Sequence, residues 1–273
     1  MTSKCLLVPP NATVTRVEEL SIFYTGDEIV IKELSLSYTA CYGIGMQPEL
    51  ETLLQAAIAA IKRGGTVVYP TETVYGLGAD ALLEGAIAKV YELKQRERSK
   101  PLSLAVSSFE MLQRVAVVDD PALLDLLAEL LPGPVTVLLP KRVLVPDLLT
   151  AGSDLVGVRF PDNEIALRII RETGPITATS ANISGQKPPT RAEAVALDAD
   201  VLINGGRCKY SMPSTVVAVT SVTATGEAAA QTIKPEIKIL RRGARYERVL
   251  HVLRRKATGE GIYRFSLSEL RGE

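Results

Sequence analysis

From Pro48 onward the apolar residues Leu50, Leu53, Leu54, Ala57, Ile58 and Ile61 recur at the three- and four-residue spacing that puts side chains on one face of a helix. Gly64-Gly65 predicts the end of that helix, because glycine takes the left-handed conformation that closes a last turn. The continuous apolar run Thr66 to Tyr69 then predicts a buried strand. The alternation continues along the chain, with a helix over Gly85 to Lys94 leading to a strand Leu102 to Val106. A helix over Pro121 to Leu131 leads through Pro132-Gly133-Pro134 into a strand Val135 to Leu139. Val156 to Phe160, Ile176 to Ala178, Val201 to Ile203, Thr215 to Val219 and Ile237 to Leu240 read as further strands, and Ile165 to Glu172 as a helix. Helices interleaved with short apolar strands make an α/β fold with a twisted mixed sheet and flanking helices.

Three segments follow from the same pattern. Residues 48–244 read as one domain. Residues 1–47 alternate weakly, as in Ile29 to Tyr38, and predict short strands or an irregular arm without assigned chemistry. Residues 245–273 follow the cations of Arg241 to Arg248 and open on Val249, Leu250, Val252 and Leu253 before Arg254-Arg-Lys256, a locally basic helix on an otherwise neutral chain. This basic stretch is either a solvated helix face or a local patch for RNA.

Composition narrows the function classes. The chain has 273 residues, 47% hydrophobic, with 31 basic and 31 acidic side chains, so no global field draws it to nucleic acid or to an anionic membrane. Cys5, Cys41 and Cys208 are odd in number and far apart, which speaks against a disulfide framework and a structural zinc site. With no apolar run near the ~20 residues of a membrane span and no signal-peptide pattern, a soluble cytoplasmic protein is expected. His251 is the only histidine and no P-loop pattern occurs, so a serine–histidine triad, a histidine-bound metal and a P-loop nucleotide site lack their materials. Chemistry must rest on cations, hydroxyls and amides, and no metal ligand set is expected.

Those groups concentrate in loops after apolar strands. Tyr69-Pro-Thr-Glu-Thr-Val-Tyr-Gly-Leu-Gly78 sets hydroxyls and a carboxylate beside glycines that permit close backbone approach to a ligand. Lys94, Arg96, Arg98 and Lys100 place four cations in seven residues, which is also what the C-terminal dipole of a helix favours. Thr177-Ala-Thr-Ser180-Ala-Asn182-Ile-Ser184-Gly185 is dense in small hydrogen-bonding groups of the kind that also cap helices. Loops at strand C-termini converge on one crevice in α/β sheets, and cations with hydroxyls there suit a phosphate-bearing anion.

Read in order, these loops resemble the YrdC/Sua5 family of threonylcarbamoyl-AMP synthases. The resemblance runs from about Leu50 to Ala244, through Gly64 to Gly78, Lys94-x-Arg96 with Lys100-Pro-Leu102, Leu131-Pro-Gly-Pro-Val-Thr136, Val156-Gly-Val-Arg-Phe-Pro-Asp162, Thr177 to Gly185, Pro213-Ser-Thr-Val-Val217 and Ile239-Leu-Arg-Arg-Gly-Ala244. It implies a concave substrate cleft in which ATP, L-threonine and bicarbonate become threonylcarbamoyl-AMP. Lys94, Arg96, Ser180 and Asn182 would form the catalytic set, and Arg96, Lys100, Ser180 and Arg241 would touch ATP. Thr73, Arg159, the Ala178 backbone and Ser214 would hold threonine, with Arg159 on its carboxylate. Mg2+ would accompany ATP, tRNA is a candidate contact, and a separate tRNA threonylcarbamoyl transferase would use the product to modify adenosine 37. The family's longer members carry a second domain, and about 30 residues after Ala244 predict the short type. Glu97 and Thr179 stand where the family pattern has prolines, and Asn163 where histidine is frequent. Two alternatives share the fold: a non-catalytic protein that binds double-stranded RNA or tRNA, and a carbamoyl-adenylate former.

Overall fold

The computed structural model describes residues 21–25, 28–32, 48–220, 236–259 and 264–266. The chain divides into two compact units, Met1–Gly45 and Met46–Glu273. In the first, β1 (Ser21–Thr25) and β2 (Glu28–Lys32) pair antiparallel, with Ser21 opposite Lys32 and Thr25 opposite Glu28. The rest of the expected arm, 1–20, 26–27 and 33–47, lies outside the described residues, as do 260–263 and 267–273 of the expected tail.

The second unit opens with α1 (Pro48–Lys62), β3 (Val67–Tyr69), β4 (Gly76–Gly78), α2 (Glu84–Leu93) and β5 (Ser103–Ala105). It continues with α3 (Phe109–Val115), α4 (Pro121–Leu130), β6 (Val135–Pro140), α5 (Asp147–Thr150), β7 (Leu155–Arg159), α6 (Glu164–Thr173) and β8 (Ile176–Ser180). A 3-10 turn at Ala192–Ala194 precedes β9 (Val201–Leu202), β10 (Thr215–Thr220), β11 (Glu236–Arg241), α7 (Tyr246–Gly259) and β12 (Arg264–Ser266).

Local chemistry sets these boundaries. Gly64, at φ 72°, ends the turn after α1. Ser108 and Asp120 cap α3 and α4 by accepting from the backbone N–H of Met111 and Ala122. Asn163 does the same for α6 through Ala166 N–H, so this departure from the family pattern works as a helix cap.

Among the described residues ten strands form one mixed sheet in the order β12-β11-β10-β6-β7-β5-β8-β4-β3-β9. Strand periodicity sorts its faces. Val68, Leu104, Val137, Val156 and Val158, with Val217, join one apolar cluster together with α2, α4 and α7 residues. Val67, Tyr69, Ala105 and Ile176 join a second cluster with α1 and α6. Neighbours in sequence thus bury on opposite faces, as a period of two requires.

Two elements depart from the sequence reading. Gly76–Gly78, read as part of a ligand loop, is β4, and its glycines make room for a side chain. A Cβ at Gly76 or Gly78 would come within 2.8 or 2.9 Å of the Tyr69 ring. In α7, expected as part of a tail, Val249, Leu250, Val252 and Leu253 enter the first core cluster. Arg255 and Lys256 of the same helix pair with Glu129 on α4, so part of the basic stretch serves helix docking.

Candidate active site

The second face of the sheet carries a cleft of about 320 Å³. Its floor is built from alternate residues: Ser103 and Ala105 of β5, Thr136 and Leu138 of β6, Ala178 and Ser180 of β8, and Val216 of β10. The register lays several of these in a row, with Val216 opposite both Arg241 and Thr136, Thr136 opposite Arg159, and Arg159 opposite Ala105. Small side chains leave the hollow open. Gly157 keeps it so, because a Cβ there would lie 2.4 Å from Ser103 Oγ.

The position of the cleft corrects one expectation. Strand C-termini alone do not form it. Thr136 and Ser214 stand at the starts of β6 and β10, and Arg159 and Arg241 at the ends of β7 and β11. Antiparallel pairing of β6 with β7 and of β10 with β11 brings starts and ends to the same edge.

Of the ten residues picked out by the sequence, seven line this cleft: Thr73, Arg96, Arg159, Ala178, Ser180, Ser214 and Arg241. The three cations arrive from separate segments. Arg96 follows the positive-φ residue Gln95 and is steadied by donating to Lys100 O at 3.1 Å and Pro101 O at 2.9 Å. Arg241 donates from Nη2 to Ser214 O at 2.9 Å and Ser214 Oγ at 3.1 Å. Ser214 Oγ lies 2.8 Å from Thr136 Oγ1, so one serine ties two strands and a guanidinium together. Burial, and then the Arg159 cation, pull the Arg241 guanidinium below its ordinary range. The Arg241 cation, with no carboxylate among the lining residues, makes the hollow attractive to anions.

Arg159 differs in its partner. Its Nη2 donates to Glu72 Oε1 at 2.7 Å, and both side chains are buried, at 9% and 1% exposure. Its other guanidinium N–H groups have no hydrogen bond among the described residues and can meet a carboxylate. Beside it, Thr71 Oγ1 donates to Val74 O at 2.6 Å and accepts from the backbone N–H of Thr73 and Val74, which locks the turn. With that proton committed, Thr73 is the donor in its 2.8 Å contact with Thr71 Oγ1. Its own oxygen is left to accept from a ligand.

Lys94, Lys100 and Asn182 do not line the cleft. Lys94 is only 1% exposed. Its ammonium donates to the carbonyls of Ser180 and Asn182, the latter at 2.7 Å, and its own carbonyl accepts from Ser184 N–H at 2.8 Å. Asn182 Nδ2 donates to Ile183 O and Gln186 O, both at 2.8 Å. These two side chains build the loop that presents Ser180, whereas the family resemblance implies both in the catalytic set. Lys100 is exposed and pairs with Glu97 at 3.0 Å.

The sequence reading gave no role to Glu72, Thr136, Tyr69 or Ser103. Glu72 and Thr136 stand inside quoted motifs, so the signal was present, but their partners lie 87 and 78 positions away. Among the described residues no cluster of three or more histidine, cysteine, aspartate or glutamate side chains could hold a metal, and none of the lining residues is a carboxylate. Nor is any helix among them long and apolar enough to cross a membrane.

Comparison with known proteins decides the family. The Sua5/YciO/YrdC family model, described as "Telomere recombination", matches residues 59–243. The chain belongs to the Sua5/YciO/YrdC family. Threonylcarbamoyl-AMP synthase of Pyrococcus abyssi is 43% identical over 176 residues, covering 62% of this chain and 52% of that protein. The Bacillus subtilis protein of the same name is 39% identical over 170 residues, covering 59% and 48%. This Sua5/YciO/YrdC chain therefore spans about half the length of these curated relatives. Its fold matches the crystal structure of P. abyssi Sua5 complexed with L-threonine, with a TM-score of 0.66, 36% identity, and coverage of 81% of this chain and 61% of that one. E. coli YciO, at 24% identity and TM-score 0.58, shares the fold.

Proposed function

We propose that this protein makes threonylcarbamoyl-AMP and pyrophosphate from L-threonine, bicarbonate or CO2, and ATP. The observation that carries the proposal is the meeting of Arg96, Arg159 and Arg241 with Thr73, Ser180 and Ser214 around one anion-attracting cleft free of lining carboxylates. The names of the relatives and the threonine complex of P. abyssi Sua5 support it.

In this reading Arg159 forks onto the α-carboxylate of threonine, and Thr73 Oγ1 accepts from its amine or hydroxyl. The amine attacks the carbon of CO2 and loses a proton, giving a carbamate. A carbamate oxygen then bonds to the α-phosphorus of ATP as the bond to the β-phosphate oxygen breaks and pyrophosphate leaves. Negative charge grows on the phosphate oxygens, where Arg96 and Arg241 neutralise it in place. Ser180, held by the Lys94 clamp, orients the nucleotide. Mg2+ enters as part of the substrate, on the triphosphate, which fits a cleft that offers cations and hydroxyls. The adenylate would then pass to a separate tRNA threonylcarbamoyl transferase.

Pyrophosphate release from ATP tests this. Release should require both threonine and bicarbonate, and Arg96→Ala should slow it about 10²-fold, the usual cost of one preorganised donor to developing charge. Release at the same rate without threonine, or an unaltered rate in the variant, would reject the proposal.

A further inference from the structure

The three cleft arginines are not equivalent. Among the described residues, Arg96 bonds only to the carbonyls of Lys100 and Pro101, and Arg241 only to the carbonyl and hydroxyl of Ser214. Neither is paired with an acid there. Arg159 alone faces a carboxylate, that of Glu72, which is more deeply buried than its partner. Glu72 Oε2 is itself buried and accepts no hydrogen bond among the described residues, so its charge is covered only from the Arg159 side. Water cannot screen a pair buried this deeply, so the negative charge is felt at the neighbouring ligand position.

The loop around Glu72 is rigid. Its carbonyl accepts from Tyr210 N–H at 2.8 Å, and the Thr71 hydroxyl locks the turn one residue before it. The carboxylate is thus fixed behind the guanidinium, and through Arg159 it acts on whatever occupies the cleft.

We infer that Glu72 is a specificity-determining, positioning residue that sorts the two anionic substrates. It cancels the charge of Arg159 while holding the guanidinium in place. The Arg159 end then accepts the single carboxylate of a zwitterionic amino acid by geometry. A polyphosphate, which needs net positive charge, is directed to Arg96 and Arg241. Without Glu72 all three arginines would compete for the triphosphate, and ATP would block the amino-acid end. This rests on the reading that Arg159 holds the threonine carboxylate.

Calorimetric binding of L-threonine, with inorganic pyrophosphate as the competing polyanion, tests the idea. In the wild-type protein pyrophosphate should compete with ATP and leave the threonine dissociation constant within about twofold. In Glu72→Gln, which keeps shape and one acceptor but removes the charge, the same pyrophosphate concentration should weaken threonine binding about tenfold or more. Glu72→Asp keeps the charge but withdraws it by one methylene. It should bind threonine more weakly while staying insensitive to pyrophosphate, a split that a merely structural role would not produce. A folded Glu72→Gln with wild-type insensitivity to pyrophosphate would overturn the inference and leave the proposed function standing. So would competition between pyrophosphate and threonine in the wild type, a measurement that needs no variant to fold. A wild-type protein that binds no threonine would remove both.

Discussion

Arg159→Ala is expected to lower stability by about 3–5 kcal/mol, the usual cost of leaving one member of a buried ion pair without its partner. Glu72 is 2% exposed, so its carboxylate cannot turn to water when the guanidinium goes. Denaturant unfolding of the variant reads this directly. The double variant Glu72→Leu/Arg159→Met should recover most of the loss, because two buried charges removed together leave no uncompensated ion. Threonine affinity should not recover with stability. It should stay about 10²-fold weaker, the worth of one bidentate charge-assisted contact. Recovery of both would mean that Arg159 serves the core alone.

Lys94→Met should have the second-largest effect, and a different one. Removing the ammonium leaves the carbonyls of Ser180 and Asn182 without their donor, a cost partly offset because a charge no longer has to be buried. The net loss should be about 2 kcal/mol. The loop carrying Ser180 should shift, and turnover should fall about 10²-fold, as small misplacements of a positioning group do. A dependence on pH distinguishes the clamp from a phosphate contact. Burial, and then the Arg96 cation, pull the Lys94 ammonium down from 10.5 to about 8. The folded chain therefore holds this proton more weakly than the unfolded chain. Wild-type stability relative to Lys94→Met should rise as pH goes from about 8 towards 10.5, by up to about 3 kcal/mol, and the gap should be narrowest below pH 8. Unfolding curves of both proteins across that range would show it, and a gap that narrows with rising pH would contradict it.

Local pattern made much of this fold legible. The spacing of Leu54, Ala57, Ile58 and Ile61 gives α1 within two residues of its bounds, because a half-buried helix must repeat its apolar face. Strands such as Val135–Pro140 show through as apolar runs, with Val135, Val137 and Leu139 in the core and Leu138 on the cleft floor. Three-residue β4 did not, since Gly-Leu-Gly carries no periodicity, and its glycines reflect the Tyr69 ring they pack against. Short α3 and α5 were equally faint.

At the site, the sequence named the residue types and their loops but not where each side chain points. Lys94 and Arg96 are two positions apart with the same charge, yet one is sealed beneath a loop and the other opens on the cleft. The pairing of Glu72 with Arg159 depends on β3, β5 and β7 sharing one sheet, a long-range fact that no local window contains.

In the proposed reaction one cleft brings threonine, a one-carbon acid and the α-phosphate of ATP together. Mass spectrometry of the nucleotide products formed from ATP, L-threonine and 13C-bicarbonate reads this out. An adenylate that contains both threonine and the labelled carbon should form together with pyrophosphate. ATP turnover whose nucleotide product lacks the label, or carries it without threonine, would contradict it.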